Sequence, residues 1–251
     1  MRARASILLA KIRTAPPVLR CAWRGQLEPQ VHDDRDFGNL RDKGPQEFVL
    51  VHDAEQAAAL LRAAGAEGRK VRVAARRHSS NGQTLAAAGE LQLHLDPLTW
   101  GAPRLLDDDL LELPACMTWR EAEAFARSHG RSIPVLTDHL GTSVGGTLSV
   151  GGGIGPRSLV AGRQLDHVER LRLILPSGEA QWLSPGSEHP HPDLFRHLFG
   201  AQGILGILDR VVIRTVAYRP ITTQFRLQCR SLLEAAELSE QLCAAGLLAE
   251  G

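Results

Sequence analysis

Three short stretches hold residues whose types and spacing can do chemistry. The first is VAARRHSSNGQ, residues 73–83, where His78, two serines and an asparagine follow directly on Arg76 and Arg77. A histidine serves as a base, a ligand or a point of attachment, but a lone one is more often a surface or hydrogen-bonded structural residue. The second is TDHLGTSVGGTLSVGGGIG, residues 137–155, seven of them glycine with serine and threonine between. Glycine lets the backbone approach a ligand closely, and consecutive N–H groups form a concave site for phosphate oxygens. A glycine loop with no ligand is an equally good reading of that composition. Asp138, at its head, can take a proton from a substrate or cap the turn that follows, and its position favours the cap. The third is HPHPDLFRH, with His189, His191 and His197. No cysteine or tight carboxylate set accompanies these histidines and the prolines suit a loop, so no metal is expected.

Other chemistries lack their sequence patterns. No GxGxxG follows a strand, no GxxxxGK[ST] is present, and no GxSxG elbow can seat a nucleophilic serine.

The elements that must position these loops come from periodicity and caps. EFVLVHD reads as a strand ending in the helix cap Asp53. AEQAAALLRAAGAEG reads as a helix closing on Gly65 and Gly68, and KVRVAA as a second strand, a β-α-β unit of the right length for parallel pairing. ELQLHLD alternates and predicts a half-exposed strand; DLLELPA predicts another. TWREAEAFARSHG is a helix with Thr118 as cap, Glu121 at the capping-box position and Gly130 as stop. HVERLRLILPSGEAQWLS predicts a hairpin turning at PSGE, HPDLFRHLFGAQG a short helix, and ILGILDRVVIRTVAY a long strand. After Pro220, TTQFRLQC reads as a strand and SLLEAAELSEQLCAAG as a helix capped by Ser231 and stopped by Gly246. One strand and one helix cannot bury a core of their own.

Composition narrows the partners. The chain has 251 residues and a formal net charge of +1. Such a balance attracts neither nucleic acid nor an anionic membrane, and only 4% aromatic residues leave few stacking platforms. The basic start holds only a short apolar run at residues 7–10, too short for a signal-peptide core. The four cysteines, Cys21, Cys116, Cys229 and Cys243, are widely spaced and include no CxxC pair. Free, mostly buried thiols and a cytoplasmic location are expected.

ARRHSSNGQ, TDHLGTSVGGTLSVGGGIG, DHVERLRLILPSGEAQWLS and LFRHLFGAQGILGILDRVVI occur in that order, with DFGNL ahead of them. Together, over about residues 36–217, they resemble the FAD-binding (PCMH-type) domain of the vanillyl-alcohol oxidase / para-cresol methylhydroxylase flavoproteins. Within that superfamily the likeness is to cytokinin dehydrogenases and related bacterial FAD-linked oxidases. The TDxLGxxVGGTLS pattern is the specific part.

The resemblance implies an α+β, two-lobed domain that grips FAD, at residues 31–218. An appendage of residues 1–30 precedes it, and residues 219–251 open a truncated substrate-binding cap. It implies a covalent flavin anchor at His78, cofactor contacts from Ser79 and Gln83, and a proton-accepting aspartate at Asp138. Ser143 takes the place of a family threonine. Gly145, Gly146, Thr147 and Ser149 match the pyrophosphate turn, and Ile207 matches a residue whose backbone meets the cofactor. The implied activity is hydride transfer from a small organic substrate to FAD.

Two departures stand out. The family has glycines in the two or three places before the histidine, where this chain has Ala74, Ala75, Arg76 and Arg77. Arginine pairs well with phosphate, but a side chain at positive φ is strained. The cap is represented by its first strand and helix alone. Three readings follow: an FAD-linked oxidase or its FAD domain, a weakly binding or flavin-free interaction module, and one half of a split enzyme whose cap lies on a second chain.

Overall fold

The computed structural model describes residues 30–32, 36–41, 46–107, 109–155, 157–187, 193–221 and 226–246. His189, His191, Cys21, nearly all of the expected appendage and residues 222–225 of the expected last strand lie outside them. The class is α+β, as expected. The chain divides into two compact units. One holds the described residues up to Gly101 with Arg172–Leu183 and Gln202–Asp209. The other holds Ala102–Leu171, Ser184–Ala201 and the described residues from Arg210 onward.

The first unit is built on a four-stranded sheet. Its strands are β1 (Gln30–His32), β2 (Gln46–Val51), β3 (Val71–Ala74) and β4 (Leu91–Leu95), in the order β1-β2-β4-β3. β1 runs antiparallel to β2, while β2 and β3 both run parallel to β4. Helix α1 (Ala54–Ala66) links β2 to β3. Asp53 caps it by accepting from Gln56 N at 2.8 Å, and Ala57, Leu60, Leu61 and Ala64 form its buried stripe at helical spacing.

Two expectations are corrected here. β2 and β3 do not pair with each other, because β4 lies between them. For the same reason β4 is buried along its whole length. Its alternation reflects two buried polar side chains rather than a wet face: the Gln92 amide donates to Thr84 O, and the His94 ring stacks on Phe48 at 3.8 Å.

A five-stranded sheet takes the order β5 (Arg104–Asp107), β6 (Leu110–Pro114), β10 (Ile207–Arg214), β8 (Val168–Ile174), β9 (Ala180–Leu183). In the second unit residues Arg210–Arg214 of β10 pair antiparallel with β6, with Val212 opposite Glu112. The hairpin of β8 and β9 turns at 175–179, where Gly178 takes φ +79 and its N–H donates to Leu175 O at 2.8 Å. A short ribbon, β7 (Arg131–Ser132) against β11 (Val216–Ala217), completes the strands.

Helix α2 (Trp119–Ser128) carries the expected capping box of Thr118 and Glu121, with Gly130 at φ +69 just beyond it. It buries Trp119, Ala122, Glu123 and Ala126. The Glu123 carboxylate is acceptable there because it accepts from Arg127 Nε at 2.7 Å, Ser132 Oγ at 2.9 Å and Ile133 N at 2.8 Å. That network pushes the Arg127 guanidinium up, the Glu123 hydrogen bond being the main cause. Three further helices follow: α3 (Val144–Ser149), α4 (Ser158–Ala161) and α5 (Leu194–Leu198).

Helix α6 (Leu232–Ala244) has the expected Ser231 cap and Gly246 stop, yet none of its residues is buried. Residues 226–229 form no strand, which corrects the described part of the expected TTQFRLQC strand. Cys116, Cys229 and Cys243 are free, but only Cys116 is buried, fewer than expected. Among the described residues, no helix is long and apolar enough to cross a membrane.

Candidate functional site

In the first unit, β3 delivers the chain into the loop at residues 75–83. Ala74 is buried, the next residues are half-buried, and Ser80 and Asn81 are exposed. The segment 36–41 braces this loop. Asp36 Oδ1 accepts from Leu40 N at 2.9 Å and Arg41 N at 3.3 Å, closing a tight turn. Phe37 N donates to Ser79 O at 3.0 Å, and the Phe37 ring meets His78 edge-on at 5.0 Å. Gly38 lies so near Ser80 that a Cβ there would sit 3.0 Å from the Ser80 carbonyl. Gly82 takes φ +71, and Gln83 folds back so that its Oε1 accepts from Asn81 N at 3.2 Å. His78, Ser79 and Gln83 are therefore gathered on one loop. Arg77 takes φ +56, the left-handed conformation in which a side chain is strained by about 1 kcal/mol or more. Asp36 Oδ2 is buried and accepts no hydrogen bond among the described residues.

Ile207, also of the first unit, opens β10 fully buried. Gly206 precedes it at φ +150, where a Cβ would lie 2.4 Å from Ile174 O. Two residues on, the buried Asp209 accepts from Trp100 Nε1 at 2.8 Å and from Arg172, both residues of the same unit as Asp209.

In the second unit the glycine stretch wraps around α3. Ser143 caps that helix, its Oγ accepting from Gly146 N at 3.3 Å. Thr147 Oγ1 donates to Ser143 O at 2.9 Å and accepts from Trp119 Nε1 at 3.1 Å, which pins α3 to the start of α2. Ser143, Gly145, Gly146, Thr147 and Ser149 thus share one short helix and its cap. Many of the backbone N–H groups here already have partners: Val144 on Met117 O, Gly145 on Ala115 O, Thr147 on Ser143 O, Gly152 on Thr147 O and Gly155 on Ser158 Oγ. Several of the glycines answer internal crowding. A Cβ on Gly145 would sit 2.8 Å from Ala115 Cβ, one on Gly153 2.0 Å from Thr137 Cγ2, and one on Gly155 1.8 Å from Leu136 O.

Asp138 is exposed at the head of this stretch. The turn after it is closed by Thr142, whose Oγ1 donates to His139 O at 3.0 Å. Among the described residues the Asp138 carboxylate accepts no hydrogen bond, against the positional expectation of a cap.

Gln164 was not legible as part of this site. It is fully buried, eleven positions beyond Gly153, and exchanges two hydrogen bonds with it: Gly153 N donates to Gln164 Oε1 at 2.7 Å, and Gln164 N donates to Gly153 O at 3.1 Å. Only the folded chain brings the two together, and no spacing rule marks the pair. Asp166 follows in the same short 3-10 turn (Gln164–His167). Arg163 donates to it from both side chain and backbone, and these bonds hold the Asp166 carboxyl below the usual carboxylate range.

The family model described as "FAD binding domain" matches residues 45–184. The chain is 32% identical over 197 residues to the "Uncharacterized oxidoreductase ORF5 in fasciation locus" of Rhodococcoides fascians, a match covering 78% of this chain and 43% of that protein. It is 31% identical over 195 residues to cytokinin dehydrogenase 4 of Arabidopsis thaliana, covering 71% of this chain and 36% of the relative. To cytokinin dehydrogenase 1 of Oryza sativa subsp. japonica it is 31% identical over 198 residues, covering 76% and 36%. The matched region spans less than half the length of each of these relatives.

Proposed function

The chain belongs to the family of FAD-binding domains matched by its residues 45–184, and from that premise we propose that it is the cofactor-holding part of an FAD-dependent oxidoreductase. FAD is its cofactor. The proposed reaction is oxidation of a small organic substrate in the manner of the cytokinin dehydrogenases it resembles. The observation that carries the reading is that the family match spans both polar loops, 75–83 and 137–155.

The donor set fits such a group. FAD is rich in acceptor oxygens and carries a pyrophosphate. Ser79 and Ser149 have hydroxyls engaged by no hydrogen bond among the described residues, and the Gln164 Nε2 is buried without an acceptor. Arg76 and Arg77 add positive charge suited to phosphate. When bound, FAD supplies the oxidising power by accepting a hydride.

The chain's own residues divide the remaining work. His78 is proposed as the flavin anchor, with Ser79, Gln83 and Ile207 proposed as further cofactor contacts from the first unit. Ser143, Gly145, Gly146, Thr147 and Ser149 are proposed as the pyrophosphate side in the second. Asp138, an exposed acceptor, is proposed to take the proton from the substrate's reacting group. Residues 31–218 are proposed as the FAD domain and residues 219–251 as the first part of a substrate-binding domain. Support for the latter is that α6 carries no buried residue.

The test is the visible spectrum of the purified protein. Flavin absorbance is expected, and colour that stays with acid-precipitated protein but is lost in His78→Ala assigns the covalent anchor to His78. A colourless protein that takes up no added FAD overturns the reading.

A second reading rests on one observation. Arg77 is left-handed, at a position where the resemblance drawn from the sequence implies glycine, which favours a weakly binding or flavin-free interaction module. Under it, reverting Ala75 and Arg77 to glycine creates FAD affinity that the natural chain lacks. A split enzyme is the third reading. Leu232 and Leu233, 88% and 68% exposed on α6, would dock its second chain, with the part-buried Leu238 and Leu242 beside them. Its test is copurification with that chain.

A further inference from the structure

Glutamine amides are symmetric in shape, so their oxygen and nitrogen are told apart only by their partners. Gln164 has such a partner. The Gly153 N–H needs an acceptor, and Gln164 Oε1 supplies it at 2.7 Å. This fixes the other end of the amide as a donor. Gln164 is 0% exposed, and Nε2 has no acceptor among the described residues. A buried donor left without an acceptor is destabilising, because its lost hydration is not replaced. The same residue holds the glycine loop in shape. Its backbone N donates to Gly153 O, and a Cβ on Gly153 would lie 2.6 Å from Gln164 Oε1. The loop is thus moulded onto this side chain, whose NH2 group has two N–H donors and no acceptor among the described residues.

We propose that Gln164 is a positioning residue of the FAD loop: Oε1 clamps Gly153, and Nε2 gives its hydrogen to an acceptor oxygen of the bound cofactor, directly or through one water. This rests on the FAD reading above. It explains why a buried donor is left without a partner beside a glycine loop whose own N–H groups are largely spent. Gln164 touches no reacting atom in this account; it acts on the shape and the donor inventory of the loop.

The test separates the clamp from the donor. Gln164→Glu keeps an acceptor for Gly153 N–H and removes the donor while ionised. Gln164→Met matches the volume and removes both functions. All affinities are read in a His78→Ala background, where flavin is held reversibly and can be removed, by flavin fluorescence quenching on added FAD; that parent is the wild-type reference, and folding is followed by circular dichroism and the melting temperature of its cofactor-free form. The expected result is that Gln164→Glu folds but binds FAD about tenfold more weakly at a pH of about 8, one lost hydrogen bond. Burial raises the pKa of a carboxyl, so affinity is expected to recover as pH falls to about 5.5 and the carboxylic acid donates in place of the amide. Wild-type affinity is expected to change little over that range. Gln164→Met is expected to be weak at every pH. If both variants bind FAD within about twofold of wild type, or if the Gln164→Glu affinity has no pH dependence beyond that of wild type, the proposal is overturned. Natural protein that carries no flavin and takes up no added FAD ends the functional reading itself, an outcome distinct from FAD binding by the His78→Ala reference with unaffected Gln164 variants. Should Gln164→Glu not fold, Gln164→Met binding FAD like wild type still overturns it.

Discussion

Arg77 is where local strain and proposed function meet. A left-handed arginine carries about 1–2 kcal/mol of strain, offset in part by the about 0.5–1 kcal/mol of backbone freedom that glycine loses on folding. Arg77→Gly is therefore expected to raise stability by up to about 1 kcal/mol in urea denaturation. Unchanged or lowered stability would show that the arginine's contacts outweigh its backbone strain. Gly155 makes the opposite case, because a Cβ there would meet backbone, Leu136 O at 1.8 Å, which cannot rotate away. Gly155→Ala is expected to cost about 3 kcal/mol or more, read from the shift in denaturation midpoint. The sequence exposes residues that announce themselves by type, such as His78 and the glycines. It does not show why each glycine is there. Gly145 and Gly153 are bare because Ala115 and Thr137 press on them, and those neighbours are distant in sequence. Gln164 is hidden for the same reason.

Elements were legible where their signals are local. Asp53, Thr118 with Glu121, and Ser231 each cap the helix their spacing predicts, because a cap involves only residues three or four apart. Removing the Thr118 hydroxyl is expected to cost about 1 kcal/mol, and Thr118→Ala with a melting curve measures it. Strand order was not legible, since the pairing of β2 and β3 through β4 is decided by a strand that follows both. The turn holding Gln164 has its own pH dependence. Arg163 lowers the Asp166 pKa in the folded state, so the stabilisation is present at neutral pH and lost as pH falls through that lowered value, below the ordinary 3.8. Asp166 is 40% exposed as a side chain, so screening keeps the effect small. Asp166→Asn is expected to melt slightly below wild type at neutral pH, with the gap narrowing as pH falls below the ordinary 3.8. A gap that persists in acid would assign the effect to the turn's geometry instead of the charge.

On the scale of the molecule, two compact units each bury a core, while α6 contributes no buried residue. Replacing exposed leucines there is expected to leave the stability of the rest within about 0.5 kcal/mol. Leu232→Ser with Leu233→Ser tests this, and a larger loss would mean that α6 packs on the chain itself. The family was legible because two loops and a hairpin kept their order along the chain. The most direct test of FAD binding is the visible spectrum of the purified chain before and after acid precipitation. Flavin absorbance that resists acid precipitation in wild type and is released in His78→Ala is the expected result. A protein that shows no flavin absorbance and takes up no added FAD would contradict it.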